Sequence, residues 1–161
     1  MSKLFNQDDL LNRAKEYALK CISYRPRSAW EMNKKLADKG YNEDIITLVM
    51  IFLKEYNFID DEAFAGMWLK SRNTCKPSGR RRIYAELAQK RLDKEIIEKC
   101  LSELTAEKEE EMAWALVEKK CRKIPFDYNK LKGFLIRRGF GLTIINKVLL
   151  KYQHDRLDKI P

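Results

Sequence analysis

The chain has 161 residues, of which 45% are hydrophobic and 35% charged, with only six Gly and four Pro. This composition excludes a collagen-like or low-complexity chain and leaves enough apolar residues for a core. The net charge of +9 favours an anionic partner: nucleic acid, an acidic protein surface or an anionic membrane.

The spacing of the cysteines and the length of the apolar runs indicate in which cellular compartment the protein is expected. Cys21, Cys75, Cys100 and Cys121 form no C-x-x-C pair, and His154 is the single histidine, which argues against a structural zinc site. The first residues contain no apolar signal segment, and no apolar run approaches the ~20 residues of a membrane span. We therefore expect a reduced, cytoplasmic protein without a membrane partner.

Apolar residues and prolines recur along the chain at shifts of 51 and then 48 residues. The recurring positions include Ala14, Ala65 and Ala113; Pro26, Pro77 and Pro125; and Leu36, Leu87 and Leu135. A fixed period with matching apolar positions predicts a repeat architecture. We predict three repeats, at residues 9–56, 60–104 and 105–153, followed by a frayed tail at 154–161.

The first repeat contains signals for three helices. The apolar spacing predicts a helix from about Asp9 to Ser23, which Pro26 ends. Ser28 to Glu31 forms a capping box at the start of a second helix, and Gly40 is typical of its C-terminal turn. Asn42 is typical of the cap of a third helix.

The same signals recur in the other two repeats. The predicted caps of the second helices are Ser28, Gly79 and Asp127, and those of the third helices are Asn42, Asp93 and Gly141. Asp60 or Asp61 can cap the first helix of the second repeat, and Thr105 that of the third. Arg91 stands where the other repeats have Gly, and a left-handed Arg costs roughly 1 kcal/mol, so we expect that turn to be built differently.

The fold class that follows is all-α, with nine helices in three tandem three-helix repeats. No strand alternation appears, and the connectors are not rich in Pro, Gly or Ser. We therefore expect continuous stacking into an elongated array rather than flexibly linked domains.

Positive charge is concentrated at one place in every repeat, around the proline corner and the second helix. Residues 20–43, 71–94 and 119–142 carry net charges of +3, +6 and +7, against +9 for the whole chain. The densest clusters are Arg80–Arg82, Arg137–Arg138, and Lys119–Lys120 with Arg122–Lys123. Because the bias recurs, we favour a functional basic ridge over three independently solvated helix faces.

The ridge has two interpretations that charge alone does not separate. It can bind phosphates directly, with Arg82 and Arg137 as contacts and Tyr24, Tyr84 or Tyr128 as stacking platforms. Alternatively, it can dock on an acidic protein surface, including one that is itself assembled on DNA. Trp30 is expected to be partly exposed and available for contacts, whereas Trp68 is expected in the core.

Candidates for catalysis are poor. His154 beside Asp155 is more typical of a surface histidine than of a general base, and Asp60–Asp61 is more typical of helix caps than of a metal pair. Cys75 has no histidine partner. Phosphate-binding glycine loops and nucleophile motifs are absent from the sequence. We predict no catalytic, cofactor or metal site, and no enzyme activity.

Several stretches, in this order and spacing, resemble the RecX family, the regulatory proteins of the RecA recombinase. The resemblance covers about residues 10–152. It is carried by Ser28–Gly40, by Phe58–Ala65 with its paired aspartates, by Gly79–Leu87 and by Phe134–Phe140. Two positions depart from the family pattern, because Asn57 and Arg91 replace glycines; these affect turn geometry and not the basic positions.

The resemblance implies a curved array of three-helix units that binds the RecA–DNA filament in its helical groove. It also implies modulation of RecA, usually inhibition of its ATPase, strand exchange and coprotease activities, by a protein that is not an enzyme. An array of weak contacts on one rigid body would act multivalently. We hypothesise that a monomer contacts the filament through Arg25, Arg27, Lys34, Lys35, Arg80, Arg81, Arg82, Arg137 and Arg138.

Two other functions stay open at this point. One is a helical-repeat protein that binds single- or double-stranded DNA directly and without sequence preference, which predicts a steep salt dependence on naked DNA. The other is an adaptor for a different acidic protein.

Overall fold

The computed structural model describes residues 2–157, and the surroundings of the side chains from residue 7 to residue 155. Within these residues the chain forms nine α-helices and no strand. They are α1 (Ser2–Tyr24), α2 (Ala29–Asp38), α3 (Glu43–Glu55), α4 (Asp61–Thr74), α5 (Arg80–Gln89), α6 (Lys94–Ser102), α7 (Ala106–Cys121), α8 (Tyr128–Arg137) and α9 (Leu142–Leu157). The prediction of an all-α fold with three tandem three-helix repeats is confirmed.

The two terminal helices are longer than the sequence pattern predicts. Helix α1 begins at Ser2 rather than near Asp9, and helix α9 continues to Leu157, past the expected frayed end after Tyr152. Neither segment contains Pro or Gly, so nothing in the backbone chemistry stops either helix earlier. Residues 158–161 of the predicted tail lie outside the described residues.

Side-chain caps begin most of the helices, as their residue types predict. Ser28 and Glu31 form the capping box: the Ser28 hydroxyl accepts from the Glu31 N–H at 3.2 Å and the Glu31 carboxylate from the Ser28 N–H at 3.4 Å. Asn42 and Thr105 also accept hydrogen bonds from their helices. Asp93 occupies the cap position of α6 but makes no capping hydrogen bond.

The turns after the second helices share one backbone conformation. Gly40, Arg91 and Gly139 have φ values of +95°, +57° and +85°. The expectation that the turn at Arg91 is built differently is therefore wrong, since the arginine adopts the same left-handed conformation as the glycines. Asn57 is also left-handed, at +55°, as its small polar side chain tolerates.

The first compact unit contains the residues up to Phe64 together with Lys90–Leu92. Helix α3 packs against both α1 and α2, and helical spacing places the buried residues of each helix on one face. The core of this unit includes Ala14, Ala18, Met32, Leu36, Ile45, Val49 and Leu53.

The second compact unit contains Ala65–Gln89 and the residues from Asp93 onward. Here α5 packs on α6, and α9 packs on both α7 and α8. The prediction that Trp68 belongs to the core is wrong: its indole is half-buried, and its N–H donates to the Glu86 carboxylate at 2.9 Å. The largest buried side chains of this unit are Phe140, Ile83, Leu87, Ile97, Leu104, Leu131, Leu135 and Ile145.

Candidate partner-binding surface

A carboxylate anchors the N-terminus of α2 and, in the same way, that of α5. Asp61 accepts a hydrogen bond from the Ala29 N–H at 2.8 Å, and Glu109 accepts one from the Arg80 N–H at 2.8 Å. These pairs occupy equivalent positions of the repeats. Each carboxylate satisfies a helix-terminal N–H and stabilises the positive end of the helix dipole. Both basic second helices are therefore held in place by the start of the first helix of the next repeat, α4 for α2 and α7 for α5.

The paired aspartates at 60 and 61 have different partners. Asp60 accepts from the N–H groups of Glu62 and Ala63, at 2.8 and 3.0 Å, and so caps its own helix α4. Asp61 caps α2 instead. The sequence suggested that either residue can cap the following helix, and the structure assigns that role to Asp60.

Arg25 belongs to an ion cluster around the buried side chain of Glu31. Both terminal nitrogens of Arg25 donate to the Glu31 carboxylate at 3.0 Å, and Lys90 donates to it at 2.5 Å. Burial alone would raise the pKa of Glu31, but the hydrogen bonds and charges of Arg25 and Lys90 lower that pKa to about 2. Two cations therefore stabilise one carboxylate here. Arg25 is already ion-paired within its own chain and is less available to a partner.

The other predicted contacts of the first compact unit differ in accessibility. Arg27 is half-buried and donates to the Cys21 carbonyl at 3.1 Å. Lys34 is exposed, with its ammonium 5.5 Å from the centre of the Trp30 ring. Lys35 is half-buried on the same helix. Trp30 itself is 39% exposed, as predicted, so Lys34 and Trp30 present the most accessible part of this cluster.

Arg80 supports the fold of the second compact unit. Its guanidinium donates to the carbonyl of Leu101 at 2.8 Å and to that of Leu104, and its Nε lies 3.5 Å from the Glu109 carboxylate. It thereby satisfies carbonyls at the C-terminal end of α6, where a cation is favourable. Of the three arginines that begin α5, Arg80 is the one most fully occupied by its own chain.

The start of α5 and the end of α8 meet through their backbones. The Gly79 N–H donates to the Arg138 carbonyl at 2.9 Å, and the Arg81 N–H donates to the Gly139 carbonyl at 3.2 Å. A Cβ on Gly79 would lie 2.5 Å from the backbone of Gly139, so only glycine permits this approach. The contact joins the clusters Arg80–Arg82 and Arg137–Arg138, which lie far apart in the sequence.

Four arginines form the surface at this contact, which we call the arginine patch: Arg81, Arg82, Arg137 and Arg138. Arg82 donates to the Glu86 carboxylate at 3.0 Å and to the Arg137 carbonyl at 3.4 Å, and Arg138 donates to the Pro77 carbonyl at 3.3 Å. Arg81 and Arg137 are exposed and form no ion pair with any side chain that the structure describes. They are the most available cations of the predicted set.

Glu86 partly balances the arginine patch. Burial by itself would raise the pKa of Glu86, but hydrogen bonds from Arg72, Arg82 and Trp68 lower it. The Arg72 Nε lies 2.6 Å from this carboxylate, and its guanidinium stacks 4.7 Å from the centre of the Trp68 ring. Charge in the patch therefore comes mainly from Arg81, Arg137 and Arg138.

A second cationic surface in this unit contains one predicted contact, Arg138, together with lysines that were not among the predicted contacts. A groove of about 310 Å³ runs between the end of α4, α7 and α8, and no carboxylate lines it among the described residues. Its cations, which define what we call the basic groove, are Lys76, Lys119, Lys120, Lys123 and Arg138. The sequence analysis named Lys119, Lys120 and Lys123 as part of a dense basic cluster at the end of a helix but did not include them in the predicted contact set.

The predicted contacts are thus grouped in two places, each within one compact unit. Arg25, Arg27, Lys34 and Lys35 lie in the first, and the five remaining arginines lie in the second. No three His, Cys, Asp or Glu side chains come together to hold a metal ion in the part of the chain that the structure describes. Likewise, none of the helices described there is long and apolar enough to cross a membrane.

Family models match all three repeats. The models for the first, second and third three-helix domains of RecX match residues 14–53, 60–101 and 107–149, respectively. Each match covers one three-helix repeat, in the same order.

Curated relatives and solved structures agree with these matches. The chain is 37% identical to the regulatory protein RecX of Clostridium botulinum (strain Eklund 17B / Type B), over 91% of this chain and 72% of that protein. It is 32% identical to the regulatory protein RecX of Mycolicibacterium smegmatis, over 85% and 78%. The crystal structure of RecX from Lactobacillus salivarius superposes with a TM-score of 0.80 at 26% identity, over 89% of this chain and 97% of that one. The chain therefore belongs to the RecX family of regulatory proteins.

Proposed function

We propose that this protein is a negative regulator of the RecA recombinase. In this proposal it binds the RecA–DNA filament in its groove and inhibits the ATPase, strand-exchange and coprotease activities of RecA. It acts as a monomer in the cytoplasm, within homologous recombination, DNA repair and the SOS response. Inhibition follows from binding alone, so the protein needs no cofactor and carries out no chemistry.

The observation that carries this proposal is the arginine patch in a chain of the RecX family. Arg81 and Arg137 are exposed and form no ion pair with a described side chain, and a backbone contact holds their helices together. Cations fixed on a rigid support lose little entropy on binding and suit an anionic partner such as a nucleoprotein filament.

The test is the single-strand-dependent ATPase of RecA, measured while this protein is titrated in. We expect inhibition at amounts well below one molecule per RecA protomer. The variant Arg81→Glu/Arg137→Glu should shift the inhibition curve to at least tenfold higher concentration, because two favourable charges become repulsive. The matched control is Lys54→Glu/Lys70→Glu, which makes the same charge change at two exposed lysines outside the patch.

The affinity for the same naked strand, measured in parallel, separates this proposal from direct DNA binding. Weak binding to the strand together with substoichiometric inhibition supports regulation of the filament. If inhibition begins only when the protein coats the DNA, competition for the strand explains the effect and the proposal fails. An equal shift in both double variants would mean that net charge matters and the arginine patch does not.

A further inference from the structure

The basic groove suits an anion, because every charged residue that lines it is a cation and an aromatic ring lies beside two of them. The Lys120 ammonium and the Arg138 guanidinium lie 5.2 and 5.5 Å from the centre of the Phe134 ring. Lys76, Lys119 and Lys123 are exposed and form no ion pair with any side chain that the structure describes. Five cations around about 310 Å³ repel one another unless an anion lies between them.

An aromatic pocket of about 540 Å³ adjoins the basic groove, and Lys123 lines both. Trp114 and Tyr152 line the pocket and meet edge to face, with ring centres 5.3 Å apart. Phe126 stacks on Tyr152 at 5.8 Å. Trp114 is half-buried in helix α7, and the Lys151 ammonium lies 5.3 Å from the centre of its ring, so these neighbours hold the ring while another part of it lines the pocket. A planar, apolar ligand group would find a fixed aromatic platform there.

The two cavities differ in charge, and this difference assigns a chemical group to each. Glu118 and Asp155 line the aromatic pocket together with Arg122 and Lys123. Their carboxylates would repel a phosphate but accept hydrogen bonds from the exocyclic amino group of a base. In the basic groove no described carboxylate competes with a phosphate. Phosphates therefore fit the groove, and a base fits the pocket.

We propose that the third repeat carries a binding site for single-stranded nucleic acid. The backbone phosphates lie in the basic groove, and one base enters the aromatic pocket and stacks on Trp114. Lys123 stands where the two cavities meet and contacts the phosphate next to that base. A cationic groove beside an aromatic platform is the arrangement with which proteins bind single strands without sequence preference.

A duplex and an acidic peptide are both poorer fits. In a duplex the bases are stacked and paired, so none is free to enter the aromatic pocket. An acidic peptide would use the groove but has no group for which the combination of Trp114, Tyr152 and two carboxylates is suited. The site uses residues outside the arginine patch, except for Arg138, and the inference does not depend on the proposed regulation of RecA.

The first arm of the test concerns the phosphates and uses the full chain without RecA. Fluorescence anisotropy with a labelled oligodeoxycytidylate of about 12 nucleotides, whose bases carry an exocyclic amino group, measures affinity over a range of salt concentrations. The variant Lys119→Gln/Lys123→Gln should lower the slope of log affinity against log salt by about 1.4, since each phosphate contact on a single strand contributes about 0.7. Lys54→Gln/Lys70→Gln removes the same charge elsewhere and should leave the slope nearly unchanged.

The second arm concerns the base. The wild type should bind a fully abasic strand of the same length roughly 5- to 150-fold more weakly, the range expected for one stacked base. Trp114→Leu should bind both strands equally, whereas Trp30→Leu should discriminate between them as the wild type does. Trp114→Phe retains an aromatic ring and should keep part of the discrimination, which guards against an effect of misfolding alone.

Two results would overturn the inference. One is equal affinity of the wild type for the abasic and the cytidine strand, with polyglutamate of equal charge competing as well as the strand; the groove would then serve an acidic protein. The other is tighter binding of a duplex than of the single strand, which would leave no role for the aromatic pocket. Both results compare ligands in the absence of RecA, whereas filament regulation is tested by substoichiometric inhibition of the RecA ATPase, so the two proposals can fail separately.

Discussion

The same repeat positions carry an ion cluster in the first compact unit and an unbalanced cationic surface in the second. In the first, Arg25 and Lys90 both donate to the carboxylate of Glu31. The equivalent positions in the second unit are Lys76, Arg138 and, in place of the glutamate, Arg82. The first unit has an acid, Glu31, where the second has a base, Arg82. In the first unit the cations are therefore paired with a carboxylate, whereas in the second the equivalent cations, Lys76 and Arg138, line the basic groove.

The net charge counted along the sequence does not show which cations are available to a partner. The sequence windows of both units are strongly positive, yet Arg25 is paired with a carboxylate whereas Arg81 and Arg137 are not. Burial of Glu31 decides the difference, since a buried carboxylate must be paired and recruits the nearest cations. The basic surface of the second unit exists because no such acid occupies the equivalent position.

The largest expected effect concerns the backbone contact of the second unit. At Gly139 an added Cβ would lie 2.4 Å from the Cβ of Arg82, and φ is +85°. Gly139→Ala should therefore lower the free energy of unfolding by about 2–4 kcal/mol, from overpacking plus left-handed strain. Gly40→Ala is the matched control: φ is +95° but space is open, so about 1 kcal/mol is expected. Urea denaturation measures both, and equal losses would mean that strain alone acts at Gly139.

The ion cluster of the first unit predicts a dependence of stability on pH. The pKa of Glu31 is lowered from 4.5 to about 2 in the folded chain, so its stabilisation is present above pH 4.5 and is lost as the pH falls towards 2. Allowing for solvent screening, we expect about 2 kcal/mol. Glu31→Gln should lose this amount at neutral pH and show a flatter stability profile between pH 4.5 and 2. Parallel profiles for the two proteins would contradict the assignment.

The two units are alike in that a carboxylate anchors the N-terminus of a second helix, α2 in one and α5 in the other. Removing either carboxylate should therefore have a similar effect on stability. Asp61→Ala and Glu109→Ala should each lower the free energy of unfolding by about 1–2 kcal/mol, because each leaves a helix-terminal N–H without its acceptor. Lys70→Ala changes an exposed helical position and should stay within about 0.5 kcal/mol. A loss in only one of the two variants would show that the junctions are not equivalent in energy.

The smallest expected effect on stability comes from restoring an acid in the second unit at the position equivalent to Glu31. Arg82→Glu places an acid in the second unit at the position of Glu31, where repeat equivalence brings it near Lys76 and Arg138. Stability should change by about 1 kcal/mol or less, because the lost pair with Glu86 is partly exposed. The affinity for a single strand should fall severalfold through partial neutralisation of the basic groove. Arg82→Gln is the control, and an equal fall there would mean that loss of the arginine, rather than gain of an acid, is responsible.

The amino-acid sequence by itself determined the three helical repeats, most of the helix caps and the family. These features depend on local chemistry and on period: apolar spacing, prolines at each corner, and residues such as Ser28 and Asn42 whose side chains bond their own helices. Helix ends at the termini were less predictable, since nothing in the local sequence marks where α1 begins or α9 ends.

Only the tertiary structure decided which charges are available and which residues meet. The pairing of Asp61 with Ala29, the Gly79–Gly139 contact and the joining of Lys76 with Lys119 depend on packing between segments distant in the chain. The left-handed Arg91 shows the same limit, because its turn follows the repeat geometry rather than the preference of the residue. Local propensities amount to about 1 kcal/mol, whereas burial and packing contribute several, so the tertiary contacts prevail where the two conflict.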